Sequence, residues 1–329
     1  MNDAALRVGV VGVGSLGFHH ARLLATMPEV SLVGVHDARA DRQAEVAAQL
    51  GVAAVSSLDA LLDAVQACIV AVPTDAHEVV ACRALERGIA VLIEKPIAPT
   101  LAAADRILAV ADESGALVQT GHVERFNGAL RACEPYLDSP LFVESHRLAP
   151  FGPRGTDVAV VLDLMIHDLD LVLSLMKQDV VSVAAVGVPV LTSSPDIANA
   201  RLEFDGGGVA NLTASRVSLE RMRKIRFFQR SGYMSLDLAT GTGEFLRLRG
   251  PALEPGQPLG VAKLEDIIER IPLRGDGTEP LRAELESFVA AVRGAGTVAV
   301  TGEDGRRALA VALEIVNRIE ANVAHRSLA

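Results

Sequence analysis

The first 120 residues alternate between two kinds of hydrophobic pattern. Short, largely apolar runs fall at 7–11, 31–36, 68–72, 90–93 and 117–119. Between them, over 16–27, 40–50, 58–63, 76–87 and 100–114, apolar positions recur every three to four residues, the period of a helix with one buried face. An unbroken apolar run fits a strand covered on both sides. Strands alternating with helices predict βαβ units. Right-handed crossovers between them build a doubly wound parallel sheet with helices on both faces.

After residue 122 the order changes. A strand is expected at 141–148 and one long helix at 157–177, then strands at 180–190, 197–205, 208–217, 223–230 and 232–238 with no helix between them. Gly206, Gly207 and Gly208 read as a hairpin turn. Such a succession predicts a second, α+β domain on a largely antiparallel open sheet. The Gly- and Pro-rich stretch 240–278 reads as an irregular insertion. Two helices close the chain, the first carrying Leu281, Leu285, Phe288 and Val292 on one face, the second spanning 303–323.

A chain of 329 residues suits two cores rather than one. With 50% hydrophobic and 22% charged residues it is an ordered, globular sequence, and its net charge of −10 argues against broad nucleic-acid binding. The longest apolar stretch, 180–191, is shorter than the roughly 20 residues of a membrane-spanning helix. The N-terminal run lacks the basic flank and cleavage site of a signal peptide. The expectation is a soluble, cytoplasmic protein without nucleic-acid or membrane partners. Cys68, Cys82 and Cys133 are odd in number and form no C-x-x-C, so they read as reduced, buried thiols.

Candidate chemistry starts at RVGVVGVGSLGFHHARLL, where Gly12, Gly14 and Gly17 stand as G-x-G-x-x-G between the first strand and a helix. Gly12 permits the tight turn, Gly14 the approach of a pyrophosphate, and Gly17 close helix–strand packing, with the helix N-terminus toward the negative charge. Ser15 and Leu16, between the glycines, belong to the same expected contact surface. Asp37 follows Gly17 by 20 residues, at the end of the second strand, where a carboxylate accepts from an adenine-ribose hydroxyl. It repels a 2′-phosphate, which favours NAD over NADP, although Arg39 or Arg42 offers such a phosphate a partner. Residues 1–122 are thus the expected dinucleotide-binding Rossmann domain and 123–329 the substrate domain. His19 and His20 read as helix-face histidines.

Ligands of open α/β sheets bind beyond the carboxyl ends of the strands. That rim receives Pro73, Thr74 and His77 from VPTDAH, with Thr74 a helix N-cap candidate and His77 either a nicotinamide neighbour or a packed surface residue. It also receives Glu94 and Lys95 from LIEKP, where Pro96 keeps Lys95 out of the α region. A solvated loop lysine is the plain alternative. On the 157–177 helix, Val158, Val161, Leu162, Met165, Leu169, Val172 and Met176 form an apolar stripe. Asp163, His167, Asp170 and Ser174 share nearly the opposite face. Asp163 and His167 stand i, i+4, so the carboxylate can orient the imidazole as a proton acceptor; a solvent-facing polar stripe is equally compatible. Two such positions without a third ligand do not make a metal site.

These motifs together resemble the Gfo/Idh/MocA family of sugar and inositol dehydrogenases, over nearly the whole chain. The resemblance implies a Rossmann domain, and a C-terminal domain whose open sheet mediates oligomerisation, here as a homodimer or homotetramer. It also implies that Lys95, Asp163 and His167 surround the substrate carbon that exchanges hydride with the nicotinamide. GHVERFN (121–127), RLAPFGPRGTDVAVVLDLMIHD and RMRKIRFFQRSGYMSLDL are similar to the branch of the family that oxidises UDP-N-acetylglucosamine to its 3-keto form. His122, Arg125, Asn127 and Arg154 would then position the substrate. Arg125, Arg147, Arg154 and the basic segment 216–230 are candidates to neutralise a diphosphate, or else strand-surface and interface charges. The alternatives are a dehydrogenase of free polyols or sugars, and a non-catalytic NAD-binding regulatory protein.

Overall fold

The computed structural model describes residues 4–152, 158–249 and 267–327. Two compact units divide the chain, the first comprising Met1–Val123 and Glu279–Leu309, the second Glu124–Thr278 and Ala310–Ala329.

Unit 1 holds a five-stranded parallel sheet of β1 (Leu6–Val11), β2 (Val30–His36), β3 (Ala67–Val70), β4 (Ala90–Glu94) and β5 (Val118–Gly121), in the order β2-β1-β3-β4-β5. Helices α1 (Ser15–Leu24), α2 (Ala40–Leu50), α3 (Leu58–Leu62), α4 (His77–Leu85) and α5 (Leu101–Ser114) alternate with the strands. The chain moves outward from β1 to β2, then returns to place β3 on the other side of β1. That reversal opens a crevice at the carboxyl ends of β1 and β3, the usual ligand position in such sheets. Val8, Val10, Ile69 and Leu92 are wholly buried, as strands covered on both faces must be.

The same core takes in Leu285, Phe288 and Val289 of α8 (Pro280–Val292). The chain first leaves unit 1 after Val123, beside the expected break at 122, but Glu279–Leu309 returns to it, because the apolar stripe of α8 packs on the Rossmann sheet rather than in the second unit. Thr120 N–H also donates to Val300 O, bringing the segment before α9 (Gly302–Ser327) to the end of β5.

Unit 2 is built on an eight-stranded sheet, comprising β6 (Phe142–Leu148), β7 (Val180–Val188), β8 (Ile197–Phe204), β9 (Val209–Ser215), β10 (Met222–Gln229), β11 (Gly232–Asp237), β12 (Thr242–Leu248) and β13 (Ile268–Arg274). Its order is β13-β12-β11-β10-β6-β9-β8-β7, antiparallel throughout except for β6 beside β9. The stretch expected to be irregular thus contributes β12 and β13. Their short sequences mix Gly, Pro and charge and bury few residues, so no clean alternation announces them. Pro272 is tolerated because β13 is the outermost strand.

Alternation along β6 buries Val143, Ser145 and Arg147 on one face, against which α7 (Ile166–Met176) packs, with Leu169, Val172 and Met176 inside. The opposite face carries Phe142, Phe228 and Tyr233 in a row, with ring centroids 5.6 and 5.2 Å apart. Exposed charges Arg201, Glu203 and Arg226 share that face with half-buried Glu144. The helix α6 (Gly128–Cys133) packs on β11, β12 and β13.

The expected 157–177 helix begins instead with a π turn, Val161–Met165, in which Ile166 N–H bonds to Val161 O, five residues back. The added residue shifts every side chain before it relative to α7. Val158, expected in the apolar stripe, lies in a bend before the helix begins and is 38% exposed.

Candidate active site

Unit 1 supplies the rim of its sheet. Gly12 has φ +84°, and a Cβ there would lie 2.6 Å from Ala71 O. A Cβ at Gly17 would lie 1.8 Å from Gly12 O, whereas one at Gly14 would meet nothing within 4 Å. The first and third glycines are therefore required by packing, and the second borders open space. Gly14 caps α1 without a side chain. A helix N-terminus opening on unfilled space beside Gly14, Ser15 and Leu16 fits the phosphates of a dinucleotide. Asp37 follows β2 directly. Its Oδ2 accepts from Val13 N–H of the glycine loop at 2.8 Å, and its Oδ1 from Arg39 N–H at 2.9 Å. Arg42 donates from Nε to Val13 O at 2.9 Å and lies over the Phe18 ring. Asp37 thus braces the glycine loop.

The other rim residues sort differently from expectation. Thr74 does not cap α4; it opens a 3-10 turn, Thr74–Ala76, and Ala76 stands at the N-cap. His77 is buried, with Nδ1 3.0 Å from Pro96 O and Nε2 3.0 Å from Val72 O. It ties together the segments that follow β3 and β4. Carbonyls only accept, so neutral His77 donates to one of the two. Burial lowers its pKa, outweighing those carbonyls. Lys95 lies half-buried at the end of β4, where the Lys95–Pro96 peptide is cis.

Glu94, expected to face the cofactor, turns inward. Its Oε1 lies 2.6 Å from His20 Nε2, and its Oε2 accepts from Lys95 N–H at 3.3 Å. Glu284 of α8 completes a buried trio in which one ligand atom from each of His20, Glu94 and Glu284 lies within 4.8 Å of the others. Sequence reading missed this cluster, although a signal existed. Glu284 sits inside the apolar stripe of α8, three residues after Leu281 and four before Phe288, and His20 occupies the buried side of α1. His122, expected to touch substrate, is buried just beyond β5.

Unit 2 supplies Asp163 from the π turn and His167 from α7, both half-buried. Asp170, expected beside them on a polar face, is instead buried and bound by Arg125, from Nε at 2.6 Å and Nη2 at 2.8 Å. Asp168 is buried likewise, and its Oδ1 accepts from Arg147 Nε at 3.1 Å and Nη2 at 2.7 Å. Arg147 also donates from Nη1 to Glu124 Oε1 at 2.8 Å. Burial disfavours its charge, but Asp168 and Glu124 outweigh that and raise its pKa. Arg147 is thus neutralised inside the unit, which corrects its expected use on a diphosphate, and Arg125 is engaged by Asp170. Arg216 is likewise buried, 3.3 Å from Asp196. Arg223, paired in register with Arg147 on the neighbouring strand, stays half-exposed, 3.6 Å from Glu124.

Asn127, also expected at the substrate, is buried. Its Nδ2 donates to Glu124 Oε2 at 3.1 Å and Leu238 O at 2.8 Å, and its Oδ1 accepts from Ala129 N–H as the N-cap of α6. Both amide hydrogens are therefore used structurally. Arg154 lies outside the described residues. Among those residues no helix is long and apolar enough to cross a membrane.

Residues 6–122 match the model of the GFO/IDH/MocA oxidoreductase family with an NAD-binding Rossmann fold, and residues 139–234 match the GFO/IDH/MocA C-terminal domain. A UDP-N-acetylglucosamine 3-dehydrogenase from Acidithiobacillus ferrooxidans is 39% identical over 96% of this chain and 98% of its own. A solved structure of the enzyme of that name from the same organism superposes with a TM-score of 0.87, covering 96% of this chain and 98% of that one. A scyllo-inositol 2-dehydrogenase from Bacillus subtilis is 28% identical over 65% of this chain and 68% of its own.

Proposed function

Because the chain belongs to the GFO/IDH/MocA oxidoreductase family, and is a dehydrogenase of CH–OH groups on that account, we propose that it oxidises the 3-hydroxyl of UDP-N-acetylglucosamine. NAD rather than NADP, held along Gly12, Gly14, Gly17 and Asp37, supplies the acceptor for the hydride when bound. His167, oriented by Asp163, takes the hydroxyl proton. Lys95 donates to the same oxygen and offsets the negative charge that develops there. Arg154 and Arg223 hold the diphosphate. The half-buried aromatic row and the exposed charges on that face of the unit 2 sheet pair with a second copy, giving a homodimer or homotetramer in the cytoplasm.

The observation that carries the substrate is the 39% identity over almost the full chain to an enzyme named for it, against 28% over a shorter part for the inositol enzyme. The test incubates the protein with NAD and either UDP-N-acetylglucosamine or a panel of free inositols and sugars, following NADH absorbance. Turnover confined to the free polyols overturns the nucleotide-sugar assignment. Lys95→Ala and His167→Ala should each lower turnover by about 10²–10⁴-fold with NAD affinity unchanged. Normal turnover in both removes them from the chemistry.

A further inference from the structure

His167 is followed at once by carboxylates that lead to arginines. Asp168 is gripped through one oxygen by two nitrogens of Arg147, whose third nitrogen holds Glu124. Asp170 is gripped through both oxygens by Arg125. Arg223 lies at the rim beside Glu124, so three carboxylates face three guanidiniums. The acids belong to two elements, α7 and the 3-10 turn Val123–Phe126, and Arg147 stands on the central strand β6. Side chains of Arg147, Asp168 and Asp170 are at most 5% exposed.

Buried ion pairs of this kind add little stability over well-packed apolar residues, because desolvation offsets their attraction. What they can add is a single allowed geometry, since a guanidinium fork accepts a carboxylate in few orientations. Such a restraint is needed here. The π turn immediately before His167 inserts a residue, and an insertion leaves the rotation of the following helix to be set by other contacts. Apolar contacts of Leu169, Val172 and Met176 tolerate small rotations; two forked ion pairs on successive sides of the helix do not.

We propose that Arg125 and Arg147 are positioning residues, which through Asp170, Asp168 and Glu124 set the rotation of α7 and so the direction in which His167 is presented. The proposal rests on the reading of His167 as the base. It also accounts for the engagement of both acids that follow His167 closely in sequence.

Arg147→Lys and Arg125→Lys keep the charge and remove the fork. Each is measured beside His167→Ala, with UDP-N-acetylglucosamine and NAD. The variants should stay folded by circular dichroism and bind NAD within about twofold of the parent. Turnover should fall by about 10- to 100-fold, as expected for a reacting group displaced by up to an ångström. The acidic limb of kcat/KM against pH should also move, a change that lost stability alone does not produce. Turnover within twofold and an unmoved limb in both lysine variants, while His167→Ala is inactive, overturns the positioning role alone. If His167→Ala is active, the base assignment falls and this proposal with it. Should Arg147→Lys not fold, Asp170→Asn at the more exposed pair is judged by the same criteria.

Discussion

Gly14→Ala separates folding from cofactor binding more cleanly than any other substitution in the glycine loop. An added Cβ at this position meets nothing within 4 Å, so the variant should fold with unchanged or slightly raised stability. The methyl group nevertheless fills the space through which a pyrophosphate reaches the backbone. Losing one or two hydrogen bonds to a charged oxygen costs about 3 kcal/mol, or roughly 10²-fold in Kd. The assay is thermal unfolding with and without NAD at about 100 times the parent Kd. Parent protein should gain about 2.7 kcal/mol, whereas a variant binding 100-fold more weakly should gain only about 0.4 kcal/mol. Gly17→Ala is the contrast, because its Cβ would lie 1.8 Å from a backbone carbonyl and the cofactor-free protein should itself be destabilised. Equal stabilisation of parent and Gly14→Ala by NAD refutes the reasoning, as does a Gly14→Ala protein that fails to fold.

Two further predictions follow from the rim of unit 1. Asp37→Ala removes the acceptor of Val13 and Arg39 N–H and the repulsion of a 2′-phosphate; NAD affinity should fall about tenfold and the NAD-to-NADP ratio should drop, and an unchanged ratio in paired titrations argues against Asp37 at the ribose. Burial holds the folded His77 pKa below its ordinary 6.5, so below that pH the unfolded chain takes up a proton that the folded one does not. His77 therefore lets stability decline as pH falls from about 6.5 toward its folded pKa, and His77→Gln should show a shallower decline in urea unfolding between about pH 7.5 and 5.5. Parallel curves for the two proteins would dismiss that role.

The doubly wound architecture, the glycine loop, Asp37 and the rim position of Lys95 could all be read from local pattern. Each depends on near neighbours in sequence: an apolar run, a helix period, a turn that only glycine allows, a strand end. The four-residue spacing of Asp163 and His167 was visible as well, being a short-range relation, but not that Asp163 stands in a π turn and His167 in the α-helix after it. Which charges are neutralised by which is a different matter. Arg147 and Asp168 are 21 residues apart, Arg125 and Asp170 are 45, and His20 and Glu94 are 74. No composition or period distinguishes an arginine waiting for a phosphate from one already holding a buried carboxylate. Asn127 offered the same ambiguity between ligand contact and helix cap. The π turn at Val161–Met165 was hidden too, because a one-residue insertion in a helix leaves the apolar period almost intact while moving the side chains before it. Sequence alone therefore determined the fold class and the chemistry on offer, through short-range sterics and hydrophobic period. Tertiary packing decided which polar groups are consumed inside the protein, because desolvated charges must find partners wherever the fold brings them together.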